Sequence, residues 1–144
     1  MKEIGIYVHI PFCKKKCHYC DFCSYEGKDS YIPRYMKCIK QEIQEVGQAN
    51  RQDALEGRDK PFLVNTIYIG GGTPSLLDSK YIVEIMKTIQ ENYEIAKEAE
   101  VTIEVNPGTV TLEKLQDYFV SGINRISIGL QSTYDTLLQQ LGRI

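Results

Sequence analysis

Strand-like and helix-like segments alternate without interruption along this chain, and that order restricts it to parallel strands joined by right-handed helical crossovers. The apolar stretch Ile4 to Ile10 reads as a buried strand, and Pro11 through Lys28 as a loop with Gly27 near its end. From Ser30 to about Val46, the residues Ile32, Met36, Ile39, Ile43 and Val46 recur at helical spacing. A polar segment follows to Pro61, then a second strand from Leu63 to Ile69 that stops at Gly70-Gly71-Gly72. Ile82, Ile85, Met86 and Ile89 mark the next helix, and Val101 to Val105 a third strand closed by Asn106-Pro107-Gly108. Leu112, Leu115 and Phe119 mark a third helix stopped by Gly122; Arg125 to Gly129 is a fourth strand, with a fourth helix from Thr133 onward. The candidates are an open doubly wound α/β sheet or a (β/α) barrel. A closed eightfold barrel takes roughly 250 residues, so four units in 144 residues are expected to be the N-terminal part of something longer. No internal repeat and no second domain is visible, so residues 1–144 read as one incomplete domain.

A composition 42% hydrophobic and 25% charged is that of a globular domain and excludes a disordered or fibrous chain. The formal net charge of -2, with both signs interspersed, gives no footprint for a polyanion, so nucleic acid is not an expected partner. No apolar stretch is long enough for a signal peptide or a membrane span, and a cytoplasmic location is expected. In a reducing compartment, four cysteines between positions 13 and 23 point to metal or redox chemistry rather than to disulfides.

Cys13, Cys17 and Cys20 place three thiols on one short loop. Three is the informative number: a cubic iron–sulfur cluster held by four cysteines is coordinatively closed, whereas three leave one iron open to an outside ligand. Lys14, Lys15 and Lys16 would offset the negative charge of such a centre. The competing reading is structural zinc completed by Cys23 or His18, although zinc modules usually pair two separated Cys-x2-Cys units. A redox-active pair at Cys17 and Cys20 is a further alternative, against which a third cysteine and the polar loop around it weigh. Cys23 is expected to be a bystander, because a fourth thiolate would close the open iron; Cys38 is expected at the core or its boundary.

Gly70-Gly71-Gly72-Thr73-Pro74 lets the backbone approach a ligand closely, or simply makes a tight turn. It has neither the ending of a phosphate loop nor the spacing of a dinucleotide site. Its position is more telling than its composition. Ligands bind at the carboxyl ends of parallel strands, and there the cysteine loop, the glycine run, Glu104 with Asn106, and Gln131 with Ser132 all fall. His9 is expected to fix the loop by a hydrogen bond rather than to bind metal. Tyr7 and Tyr19 are packing aromatics or stacking surfaces for a planar ligand.

The segments Tyr7-Val-His-Ile-Pro-Phe-Cys13-x3-Cys17-x-Tyr-Cys20, Gly70-Gly-Gly-Thr-Pro74, Glu104-Val-Asn-Pro107 and Arg125-Ile-Ser-Ile-Gly-Leu-Gln131 together resemble the oxygen-independent coproporphyrinogen III oxidase family of radical SAM proteins, including its haem chaperone (HemW-type) branch. The resemblance covers essentially the whole chain. It implies the N-terminal four β/α units of a partial (β/α)6 TIM-like barrel, with the rest of the barrel and a following domain beyond it. It also implies a [4Fe–4S] cluster on Cys13, Cys17 and Cys20, whose open iron takes the amino and carboxylate groups of S-adenosylmethionine. Reduction of that cluster breaks the S–C5′ bond and yields a hydrogen-abstracting 5′-deoxyadenosyl radical. Tyr7, Tyr19, Gly71, Gly72, Thr73, Glu104, Gln131 and Arg143 match positions that contact S-adenosylmethionine in the family. Implied partners are haem or a porphyrin, a flavodoxin- or ferredoxin-like electron donor, and recipient haemoproteins. The oxidase branch carries a further cysteine two positions after the third ligand, where this chain has Phe22; the run Cys20-Asp21-Phe22 resembles the chaperone branch, from which Cys23 departs by replacing the usual asparagine. A haem chaperone is therefore the expected function, with coproporphyrinogen decarboxylation as the alternative and a non-catalytic metal-binding module as a reading of another class.

Overall fold

Alternation of side chains sends Ile4, Ile6, Val8 and Ile10 of strand β1 (Lys2–Ile10) into the apolar core, while Gly5, Tyr7 and His9 face the other way. The same division holds along β4 (Phe62–Gly71), where Ile67 and Ile69 are core and Tyr68 is not, and along β5 (Glu94–Val105), where Val101, Ile103 and Val105 are core. The computed structural model describes residues 1–143. Its main sheet is entirely parallel in the order β1-β4-β5-β6, with β6 spanning Arg125–Ile128. A doubly wound sheet reverses its order at a switch point. This one never reverses, and helix α1 (Ile32–Leu55) packs on α2 (Ser79–Asn92), which packs on α3 (Leu112–Val120), so the helices form one layer. The sheet is a singly wound arc of the barrel type.

The register sets Tyr7 beside Tyr68, Tyr68 beside Thr102, and Thr102 beside Arg125. The face turned away from the helices is therefore a polar row, and it leads to the strand ends where Glu104 pairs in register with Ser127. Apolar side chains hold the helical layer, which leaves polar ones free to line this inner face.

Strand ends shift from the sequence reading by one or two residues, and four further features differ from it. Helix α1 continues past Val46 to Leu55 because its buried stripe passes from Met36 and Ile43 to Gly47 and Asn50, which a hydrophobicity pattern skips. Asn50 accepts from the Phe62 N–H (2.9 Å) and donates to the Lys60 carbonyl (3.1 Å), so a polar side chain fixes the turn into β4. Strand β5 begins at Glu94, within a charged run that does not look like a strand, and pairs there with Leu63 before a bulge. Residues 11–28 are not all loop, since β2 (Phe12–Cys13) and β3 (Tyr25–Glu26) pair in parallel. Helix α4 is Asp135–Gln140 rather than starting at Thr133.

On α3 the core residue is Tyr118, 1% exposed, whereas Phe119 and Leu112 are 76% and 73% exposed. Cys38, expected at the core or its boundary, is also exposed. The Tyr118 hydroxyl is buried without a hydrogen-bond partner among the described residues, and burial pushes its pKa up to about 12. An unpaired buried hydroxyl costs about 1–3 kcal/mol, so Tyr118→Phe is expected to stabilise the fold by about 1 kcal/mol in urea unfolding. The sign in alkali follows: unfolded tyrosine ionises near pH 10, and Tyr118 in the fold only near 12. Its contribution is present below pH 10 and lost as pH rises toward 12. Tyr118→Phe should flatten the stability profile in that window.

Candidate functional site

The glycine run closes the gap between two strand ends. After β4, the Gly72 N–H donates to the Ile10 carbonyl (2.7 Å) and the Thr73 N–H to the Phe12 carbonyl (2.9 Å), which extends the β1–β4 ladder into the cysteine segment. A Cβ on Gly72 would stand 2.7 Å from the Phe12 oxygen and 3.1 Å from Cys13 Sγ; only glycine lets the two segments meet. Gly71 has φ of 115° and lies against the His9 ring, which excludes a side chain there on both counts. Cys13 is thereby held buried at the end of β2, while Cys17 and Cys20 are half-buried above it.

These three thiols line one cleft of about 190 Å³ together with Tyr19, Gly72, Thr73, Glu104, Gln131 and Arg143. Of the residues matched by sequence to a ligand site, only Tyr7 and Gly71 lie outside its lining. Gly71 acts at one remove: its N–H donates to Glu104 Oε2 (3.0 Å) while the Tyr68 hydroxyl donates to Oε1 (2.7 Å). Those two donors aim the Glu104 carboxylate at the cleft. Proximity to that carboxylate raises the pKa of Tyr68, chiefly through the hydrogen bond; for Tyr7 burial comes first and Glu104 second. Gln131 sits at φ of 66°, the only described non-glycine residue in the left-handed region, a conformation that costs about 1–3 kcal/mol and tends to gather at ligand sites.

The loop is clasped from the far end of the chain. The His18 N–H donates to the Leu141 carbonyl (3.1 Å) and its Nδ1 to the Gln140 carbonyl (3.0 Å), using acceptors that the end of α4 leaves free. Arg143 reaches Cys17 Sγ (3.8 Å), Asn106 Oδ1 (3.1 Å) and the Gly129 carbonyl. His9 does fix the loop: Nε2 donates to the Cys23 carbonyl (2.8 Å), which leaves Nδ1 to accept from the Tyr7 hydroxyl (2.9 Å).

Three readings need correction or narrowing. Lys16 does not face the thiols; its Nζ donates to the Phe22 and Ser24 carbonyls (3.0 and 3.3 Å), and only Lys15 of the three lysines lines the cleft. Cys23 is exposed, lies outside the cleft and pairs with the Tyr25 hydroxyl (3.5 Å). Asn106, which the sequence reading placed at the strand end without a role, donates to Thr73 Oγ1 (3.0 Å) and stands at the centre of the site. Its signal was its position directly after β5.

Among the described residues no group of three or more His, Cys, Asp or Glu side chains is arranged to hold a single metal ion. A cubic cluster takes each thiolate on a different iron, so its ligands surround a space instead of converging on a point. The site has that character: three thiols around a cleft, with the Thr73 hydroxyl and Arg143 donating to two of their sulfurs.

The radical SAM superfamily profile matches residues 7–144. The chain belongs to the radical SAM superfamily. This radical SAM chain is 41% identical over 146 residues to the heme chaperone HemW of Haemophilus influenzae, covering 100% of this chain and 37% of that protein. It is 38% identical over 149 residues to the heme chaperone HemW of Escherichia coli, covering 100% and 36%. Among solved structures it resembles the coproporphyrinogen III oxidase HemN from Escherichia coli, a radical SAM enzyme, with a TM-score of 0.83 at 29% identity over 97% of this chain and 30% of that one. It thus spans little more than a third of the length of these curated relatives. No helix among the described residues is long and apolar enough to cross a membrane.

Gly72→Ala tests the close approach. The variant should lose about 1–3 kcal/mol of stability through overpacking, and buried Cys13 should react faster with a thiol reagent such as DTNB. Unchanged stability and Cys13 reactivity would show that the strand ends are not held by this contact.

Proposed function

We propose that Cys13, Cys17 and Cys20 hold a [4Fe–4S] cluster, that S-adenosylmethionine occupies the adjoining cleft, and that the chain supplies this cofactor core to a haem chaperone of the HemW kind. The observation that carries the reading is the meeting of three thiols with the polar ends of β4, β5 and β6 in one cleft. When bound, the cluster and S-adenosylmethionine supply one-electron reductive cleavage of the S–C5′ bond. The chain's own residues bind and orient. Glu104, fixed by Tyr68 and the Gly71 N–H, offers an acceptor to an ammonium or to ribose hydroxyls. Arg143 offers a guanidinium to a carboxylate, and Gln131 an amide that can donate and accept. Tyr19 gives an aromatic face at the rim, and Phe22 an apolar one that limits access of water. Lys14 and Lys15, both exposed beside the cleft, suit an acidic flavodoxin- or ferredoxin-like electron donor.

Two features bear on the chaperone reading. The heme chaperones are similar along the entire chain, and Phe22 lines the cleft where the oxidase motif has a cysteine. The likeness in fold to coproporphyrinogen III oxidase keeps decarboxylation as the second reading.

Anaerobic reconstitution tests the cofactor reading. The protein should take up about four irons with matching sulfide, show absorbance near ~400 nm typical of such clusters, and release 5′-deoxyadenosine from S-adenosylmethionine after dithionite reduction. Cys13→Ala, Cys17→Ala and Cys20→Ala should each abolish stable cluster retention, while Cys23→Ala should not. One zinc per chain and no 5′-deoxyadenosine would leave a structural metal module. Retention of haem without turnover of coproporphyrinogen supports the chaperone, and turnover supports the oxidase.

A further inference from the structure

Cys13 and Cys17 are joined through the protein by an unbroken chain of hydrogen bonds, and Asn106 is its middle member. Arg143 donates from Nη1 to Cys17 Sγ (3.8 Å) and from Nη2 to Asn106 Oδ1 (3.1 Å). Asn106 Nδ2 donates to Thr73 Oγ1 (3.0 Å), and Thr73 Oγ1 donates to Cys13 Sγ (3.8 Å). The direction of every bond is fixed by chemistry. A guanidinium has no acceptor, so the Asn106 carbonyl oxygen must face Arg143 and its NH2 must face Thr73. That NH2 occupies a lone pair of the Thr73 hydroxyl, whose single proton is left to point at Cys13. Asn106 is itself held, because its backbone N–H donates to Ser75 Oγ (3.2 Å).

We propose that Asn106 is a positioning residue which, through Thr73 and Arg143, aims one donor at each of two cluster thiolates and so sets the reduction potential of the cluster. This rests on the cluster assignment above and adds a role for a residue outside the ligand set. Donors to sulfur stabilise the reduced, more negative cluster over the oxidised one, so they raise the potential, and their loss lowers it. Aspartate has no donor for Thr73, and leucine has neither group; the carboxamide accepts from Arg143 and donates to Thr73 through two separate atoms.

Redox titration of the reconstituted protein without S-adenosylmethionine, followed by the EPR signal of the reduced cluster, tests this. Asn106→Ala and Thr73→Val should each shift the midpoint to more negative potential, Thr73→Ser should restore it, and the double variant should fall short of the sum of the single shifts, since Asn106 acts partly through Thr73. If Asn106→Ala retains no cluster, Asn106→Asp decides. Its shift should shrink in the Thr73→Val background, whereas an equal shift in both backgrounds is a plain charge effect and overturns the relay. An intact cluster whose midpoint ignores these substitutions overturns the relay alone; a wild-type protein that takes no cluster overturns the site assignment beneath it.

Discussion

The parallel pairing of β1 with β4 governs everything at the site, because it does not stop where the strands end. Beyond Ile10 and Gly71 the ladder continues as Gly72 to the Ile10 carbonyl and Thr73 to the Phe12 carbonyl, two bonds made by a turn instead of a strand. The cost is the exclusion of any side chain at Gly71 and Gly72, and the return is that Cys13 and Thr73 are held in fixed relation. A loop of this length anchored only at its ends would lose substantial conformational entropy on ordering. Here it is also tied at Phe12, at Lys16, at His18 and through His9, contacts within the protein that offset part of that cost.

The division between the two faces of the sheet is the second condition. Core isoleucines and valines from every other position of β1, β4 and β5 bind the helical layer, and the intervening positions carry Tyr7, Tyr68, Thr102 and Glu104. A one-residue slip in register would exchange the two sets and bury the carboxylate in the core. The apolar core therefore aims the polar residues, although it touches no ligand.

Much of this was legible in the sequence because the decisive signals were periodic or compositional: the strand–helix order, the cysteine spacing, the glycine run and the polar residues at strand ends. Periodicity alone left the strand order open, since it cannot distinguish a singly wound arc from a doubly wound sheet; the family resemblance implied the barrel arc, and the packing of α1 on α2 and α2 on α3 agrees with it. Asn50 and Gly47 extend α1 through a hydrogen-bonded turn and a close helix approach, neither of which hydrophobicity registers. On α3 the apolar pattern pointed to Phe119, whereas the structure buries Tyr118 and leaves Phe119 exposed, because a tyrosine does not register as apolar in such a pattern. Lys16 looked like a charge beside the thiols because composition gives no direction to a long side chain. Asn106 was visible by position alone, and its role depends on Arg143, far along the sequence.

That separation has a physical consequence for the site. Helix α4 has six residues and no side-chain cap, and a helix so short does not stand alone in water. Its last carbonyls are taken by His18, and the residue that follows them in space, Arg143, closes the contacts to Cys17 and Asn106. The cysteine loop in turn has only two-residue strands of its own. Each segment is short and supplies hydrogen-bond partners to the other, so the contacts of His18 and Arg143 add to those that hold the thiols in place. The cleft is complete only when residues near both ends of the chain have met.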